Sequence, residues 1–365
     1  MASAVVADLT FDEPLARARE LVMAHGWNAT AYQIVNPGIA LWFSHADDAV
    51  VGYVERGSTR VVAGAPVCAP ARLADVVAEF EQETTACRRH VCYFGAEARL
   101  EALFRSDREH SRVLLGAQPS WNPSRWPAIV AGKASLRAQL NRSRNKGITV
   151  SAMSAEEATG HPALRRVLKE WLATRGLPPM HFLVEPDTLS RLFDRRIFVA
   201  RSRSSEIVAF LVASPAPSRG GWLVEQFVRG RNTPNGTVEL LLDAAMRSFA
   251  GEGFDYVTLG LAPLSRHVPA PLTNPFWLRI ALRWVRAHGR RFYNFEGLDN
   301  FKAKFLPERW EPVYAILNEN RFSPSALYAI AAAFSDRSPA STIARALWRA
   351  AETEIHWLRR RILHS

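Results

Sequence analysis

The sequence predicts an α/β fold in which mixed sheets are covered by helices. Short apolar runs of strand length alternate with longer runs whose apolar residues recur at helical spacing. In the second half the order reads helix, helix, three strands, helix, strand, which suits a mixed sheet layered with helices. With 365 residues, 48% hydrophobic and 22% charged, the chain is globular in composition and long enough for about two domains.

Along the chain, Gly38–Val67 reads as three short strands separated by polar turns at Ala46–Asp48 and Arg56–Ser58. Ala71–His90 carries Leu73, Val76, Val77 and Phe80 at helical spacing, and Val91–Ala96 (VCYFGA) is a compact apolar strand. Gly116–Ala128 (GAQPSWNPSRWPA) lacks periodicity and is rich in Pro, Ser and Trp, so it is expected to connect two domains. Ala134–Gly147 predicts a helix capped by Ser135 and ended by Gly147. Leu164, Val167, Leu168, Trp171 and Leu172 form the stripe of a second helix, stopped by Gly176. Strands follow at Ile197–Ser202, Ile207–Ala216 and Gly221–Gly230. Thr237–Gly253 reads as a helix with Val238, Leu241, Leu242, Ala245 and Phe249 on one face, and Tyr256–Ser265 as another strand. From Ser323 the chain reads helical. Ile343, Leu347, Ala351, Ile355, Leu358 and Ile362 make a long stripe with Arg345, Arg349, Arg359, Arg360 and Arg361 largely off it. Such a helix fits either an anionic bilayer surface or a dock on its own domain. These elements divide the chain into an N-terminal domain over 1–125, a C-terminal domain over 126–320 and a helical tail over 321–365.

Lys and Arg number 46 against 35 Asp and Glu, a formal net charge of +11, which favours polyanions such as nucleic acid or an anionic membrane face. Three cysteines, Cys68, Cys87 and Cys92, make no disulfide framework and point to a reducing compartment. Cys87, His90 and Cys92 lie close together, but no second pair completes a zinc site, so no metal is expected. The first residues lack the basic start and sustained apolar core of a secretory leader, and no apolar run reaches the ~18 residues of a spanning helix. The protein is therefore expected in the cytoplasm, with any membrane role peripheral.

Three stretches carry candidate chemistry. Val228–Leu241 (VRGRNTPNGTVELL) joins a strand to a helix whose first N–H groups attract anions. Junctions of this kind hold the coenzyme A pyrophosphate in N-acetyltransferase-like folds, usually with a Gly-rich loop. Here Gly236 follows Thr233, Pro234 and Asn235, and Pro234 removes a donor, which weighs against acyl-CoA. The helix at Lys133–Gly147 carries Lys133, Arg137, Arg142, Arg144 and Lys146 with no acid among them, a spread suited to phosphates. Asn300–Pro312 (NFKAKFLPERWEP) sets Lys302 and Lys304 among Phe301, Phe305 and Trp310.

The longer run Phe292–Tyr314 (FYNFEGLDNFKAKFLPERWEPVY) resembles the signature of the C-terminal domain of the phosphatidylglycerol lysyltransferases (multiple peptide resistance factors) and their stand-alone relatives. Leu136–Val150, Thr233–Met246 and Tyr256–Ser265 resemble that domain in order, and Val61–Pro70 and Val91–Ala96 fit its N-terminal half. The similarity covers roughly Ala31 to Tyr314. One departure is an extra residue before Trp310, since Glu308 and Arg309 stand where the family has a single position. The resemblance implies two N-acetyltransferase-like domains in tandem. It also implies transfer of an amino acid from aminoacyl-tRNA to a lipid hydroxyl at the cytoplasmic membrane face, without a flippase segment.

An aminoacyl ester is already activated, so neither a protein nucleophile nor a cofactor is expected. Lys304, Glu311 and Glu239 are the candidate catalytic residues: Lys304 for a phosphate of lipid or tRNA, Glu311 for a proton or the substrate α-ammonium, Glu239 one turn into its helix. Arg231, Asn235, Gly236, Lys302 and Trp310 are candidates for substrate contact, with Lys302 expected to be solvated and Trp310 equally suited to a core. The basic helix is the candidate tRNA surface. Two other classes stay open: an acyl-CoA-dependent N-acyltransferase, and a non-catalytic RNA- or membrane-binding module.

Overall fold

The computed structural model of the protein describes residues 12–174, 181–267, 274–280 and 295–335. Among the described residues twelve strands form one sheet: β1 Ala40–Phe43, β2 Val50–Arg56, β3 Thr59–Ala63, β4 His90–Ala96, β5 Ser111–Trp121, β6 Thr149–Met153, β7 Arg196–Arg201, β8 Ile207–Ala216, β9 Gly221–Arg229, β10 Tyr256–Thr258, β11 Ala262–Pro263 and β12 Arg309–Leu317. The order across it is β1-β2-β3-β4-β12-β5-β10-β9-β8-β7-β6, with β11 joined to β5. The helices are α1 Glu13–His25, α2 Leu73–Ala86, α3 Ala98–Leu103, α4 Trp126–Gly132, α5 Ala134–Asn145, α6 Ala155–Ala158, α7 Pro162–Ala173, α8 Thr237–Gly251, α9 Phe295–Ala303 and α10 Pro324–Ala333.

The mixed α/β class is the one expected. Two pairs of strands are parallel: β3 with β4, linked through α2, and β9 with β10, linked through α8. Each half therefore carries one β–α–β unit, whose crossover requires a helix on the face of the sheet. The halves also exchange strands. β12, from late in the chain, pairs with β4, while β5, from early in the chain, pairs with β10; β5 and β12 then pair with each other along nine residues. Four apolar clusters cover the two faces of both halves, and α10 packs into the one that also holds Tyr32, Ile34 and Val61.

Several elements differ from expectation. Gly116–Trp121, read as part of a connector, is the buried end of β5, the longest strand. A strand covered on both faces has no alternation to detect. The two tryptophans of that segment are core: the Trp121 indole N–H donates to the Phe305 carbonyl at 3.0 Å, and that of Trp126 to Asp243 at 3.0 Å. The run Tyr256–Ser265 is not one strand but the short β10 and β11, separated by Leu259–Leu261. Lys133 rather than Ser135 occupies the N-cap of α5, with no side-chain cap bond, while Gly147 ends the helix at φ 79° as expected. Gly176 and the basic stripe from Ile343 to Ile362 lie outside the described residues. Among the described residues no helix is long and apolar enough to cross a membrane.

Candidate active site

β9 and β10 pair only over Gly221–Leu223 and Tyr256–Thr258. Beyond that point β9 runs on to Arg229 beside β8, while the other chain turns away at Leu259, so the sheet opens as a V. α9 bridges the opening. On one side the Lys302 ammonium donates to the carbonyls of Leu259, Gly260 and Leu261 at 2.7, 2.8 and 2.8 Å. On the other, Phe301 meets Phe227 edge to face at 5.9 Å. Lys302 is thus buried and structural rather than solvated or substrate-facing, which corrects the expectation. It replaces the sheet partners that the diverging strand lacks. Burial pushes its pKa down to about 7, against the attraction of Asp299.

Lys304 follows the last residue of α9 and has different partners. Its ammonium donates to Glu239 Oε1 at 2.8 Å and lies over the rings of Phe301 and Phe305 at 4.1 and 4.8 Å. The Lys304 side chain is 35% exposed and that of Glu239 12%, so the pair is neither sealed in core nor loose in solvent. Glu239 belongs to the first turn of α8, where the helix dipole favours an anion. The aromatic frame around Lys304 lowers the local dielectric and strengthens its charge toward an approaching oxyanion.

The loop before α8 is less of a cradle than its sequence suggested. Gly236 has φ 93° and caps α8, and a Cβ there would collide with the Gln139 carbonyl oxygen of α5. The glycine serves close helix packing, and its Cα face is closed to a ligand. Arg231 and Asn235 are exposed on the same loop; the Arg231 backbone N–H donates to Glu170 at 3.1 Å. On α5, Arg137, Arg142, Arg144 and Lys146 are exposed and Lys133 is half-buried at the cap. Arg144 does have a counter-charge, Asp243 of α8 at 3.0 Å, which a scan for acids within the helix itself does not reveal. Arg137 turns back onto the carbonyls of Val130 and Ala131.

Glu311 belongs to a second polar centre, where β5 and β12 join the halves. Arg219 donates to both of its carboxylate oxygens, at 2.7 and 3.0 Å, and to Glu97 at 2.9 Å. Gln118 and Ser120 of β5 donate to Glu311 at 3.1 and 3.2 Å, and the Tyr256 hydroxyl does so at 3.3 Å. Among the described residues no hydrogen bond or ion pair joins this cluster to the Lys304–Glu239 pair, so the three expected catalytic residues fall into two places. Burial pushes the Glu97 pKa up to about 7, opposed by Arg219 and by the Ala29 N–H. The neighbouring Glu311 charge adds a smaller push in the same direction as burial. Burial, then the Glu97 charge, raises Tyr256 well above its ordinary value. Arg219 also stacks over Tyr256 at 4.0 Å and Trp27 at 4.9 Å. Sequence reasoning found only Glu311 of this group, because Glu97, Gln118, Arg219 and Tyr256 are drawn from four remote segments with no local spacing. Trp310, half-buried on β12, stacks on His267 at 4.4 Å. Among the described residues no group of three or more His, Cys, Asp or Glu could hold a metal ion.

The model of the family "Phosphatidylglycerol lysyltransferase, C-terminal" matches residues 18–317. The chain belongs to that family. A phosphatidylglycerol lysyltransferase of Staphylococcus xylosus is 21% identical over 84% of this chain and 36% of its own length; one from Bacillus subtilis (strain 168) is 25% identical over 77% and 32%. This chain thus spans about a third of the length of the curated relatives it matches. The structure of L-PGS from Bacillus licheniformis superposes with a TM-score of 0.72 at 22% identity, covering 88% of this chain and 97% of that one, which establishes the shared fold.

Proposed function

We propose that the protein transfers an amino acid from aminoacyl-tRNA to a hydroxyl of an anionic membrane lipid, working peripherally at the cytoplasmic face. The family supplies the reaction class, and the observation that carries the site is the Lys304–Glu239 pair in its aromatic frame where β9 and β10 diverge. In the reaction the lipid hydroxyl oxygen attacks the ester carbonyl carbon. A C–O bond forms to the lipid, the C–O bond to the tRNA ribose breaks, and the hydroxyl proton passes to the departing ribose oxygen. Lys304 stabilises the oxyanion of the tetrahedral intermediate. Glu239 holds Lys304 in place and is the nearest carboxylate to carry the proton between the two oxygens. The phenylalanine rings keep water from hydrolysing the ester. The exposed Arg142 and Lys146 at the end of α5 are the candidates to meet tRNA phosphates. Glu311 orders the seam through Arg219.

The test is incubation of the full chain with tRNA charged with labelled amino acid and vesicles of bacterial phospholipid. Label in the lipid fraction supports the reading. No label with any amino acid, alongside saturable coenzyme A binding by calorimetry, would replace it with acyl-CoA chemistry.

A further inference from the structure

The N-terminal half has its own β–α–β unit, and a cleft opens where that unit's loop leads from β3 into α2. The cleft is narrow, with about 10 Å³ of inner space, room for one water-sized group before it opens to solvent, and most of its lining residues are apolar, with Ala65, Pro66, Val67, Leu73 and Leu100 among its walls. Arg99 and Trp27 also line it. Arg99 is half-buried, and among the described residues no hydrogen bond or ion pair holds it; its guanidinium lies over the Trp27 ring at 4.2 Å. Burial lowers its pKa, and the neighbouring Arg219 works in the same direction. The indole N–H of Trp27 is buried and has no acceptor. A half-buried cation without a counter-ion, beside a buried donor without an acceptor, is an arrangement that an anionic ligand would relieve. The Cys68 thiol in the same wall cannot serve as that anion, since burial pushes its pKa up to about 11.

We propose that the phosphodiester of the acceptor phospholipid sits at the mouth of this cleft and places one oxygen inside it, with the Arg99 guanidinium and the Trp27 indole N–H as its donors. The assignment rests on the function proposed above and adds where the lipid headgroup is held. A single cation in an apolar wall suits the head of an amphiphile. RNA is gripped by several spread cations, which this chain carries on α5 of the other half. The guanidinium groups of Arg99 and Arg219 lie 4.2 and 4.9 Å from the Trp27 ring centre, so the cleft adjoins the Glu311 centre at the seam between the halves.

The experiment titrates the full chain with short-chain phosphatidylglycerol below its micellar concentration, by calorimetry, and with labelled tRNA by filter binding. Wild type is compared with Arg99→Gln, Arg99→Lys and Trp27→Phe. Loss of a charge-assisted contact predicts at least about tenfold weaker lipid binding for Arg99→Gln. Arg99→Lys and Trp27→Phe lose less, and tRNA affinity is unchanged throughout. Should Arg99→Gln be misfolded by circular dichroism, the other two variants carry the same test. Wild-type lipid affinity in all folded variants overturns the assignment, as does a selective loss of tRNA binding, which would make the cleft an RNA phosphate site. Wild-type protein that binds the lipid through Arg99 but transfers no amino acid contradicts the proposed function and leaves the cleft assignment standing.

Discussion

Two lysines separated by one residue should fail in opposite ways. Lys302 donates to three main-chain carbonyls and is buried, so Lys302→Met leaves three acceptors without a donor. Stranded buried acceptors cost about 1 kcal/mol or more each, partly offset by no longer burying a charge, for a net loss of about 2–3 kcal/mol. In a chain of 365 residues that lowers the thermal midpoint by roughly 3–4 °C. Lys304 is one-third exposed and makes one ion pair, so Lys304→Met costs about 1 kcal/mol or less in stability. If its ammonium meets the oxyanion, that variant loses about 10²–10³ in turnover. The assay is thermal unfolding together with single-turnover transfer from charged tRNA at a temperature where all variants are folded. A Lys302→Met protein as stable as wild type would refute the carbonyl-cage argument. Full turnover by Lys304→Met would refute the assigned chemistry.

The Glu97 pKa of about 7 stands above the ordinary carboxyl value, so the stability it contributes is complete below about pH 4.5 and is lost as pH rises through about 7. Glu97→Gln should flatten the fall in thermal midpoint across that window, and an unchanged pH profile would show that Glu97 is already ionised. Gly236→Ala combines a left-handed backbone with a collision against α5, and urea unfolding should report a loss of about 3 kcal/mol or more. A neutral result would mean that α5 and α8 are less closely packed. Replacing Arg142 and Lys146 together by alanine should weaken tRNA binding and reduce the slope of log affinity against log salt by about 2, leaving lipid binding unaltered. An unaltered slope would remove α5 from the tRNA surface.

The helices and most strands were legible because each buries one face: Phe80 with Val76 and Val77, or Phe249 with Leu241, Leu242 and Ala245, recur at the spacing that burial requires. β5 was not, since its final six residues are all buried and Pro119 breaks the usual strand composition. Lys304 and Glu239 were readable as charged groups in apolar surroundings, but their 2.8 Å contact spans 65 residues. The opposite fate of Lys302 depends on where β10 ends, which no local pattern encodes. The Arg219 centre arises only after the halves exchange strands and pack, and the Arg99 cleft only after Trp27, the loop before α2 and α3 come together within the first half. Arginines and tryptophans at unrelated positions give no signal before then.

The most direct measurement of the central claim is mass spectrometry of lipids from cells that carry the protein, lack it, or carry the Lys304→Ala form. The account predicts an aminoacylated glycerolipid in the first and its near-absence in the other two. Identical lipid profiles in all three would contradict it.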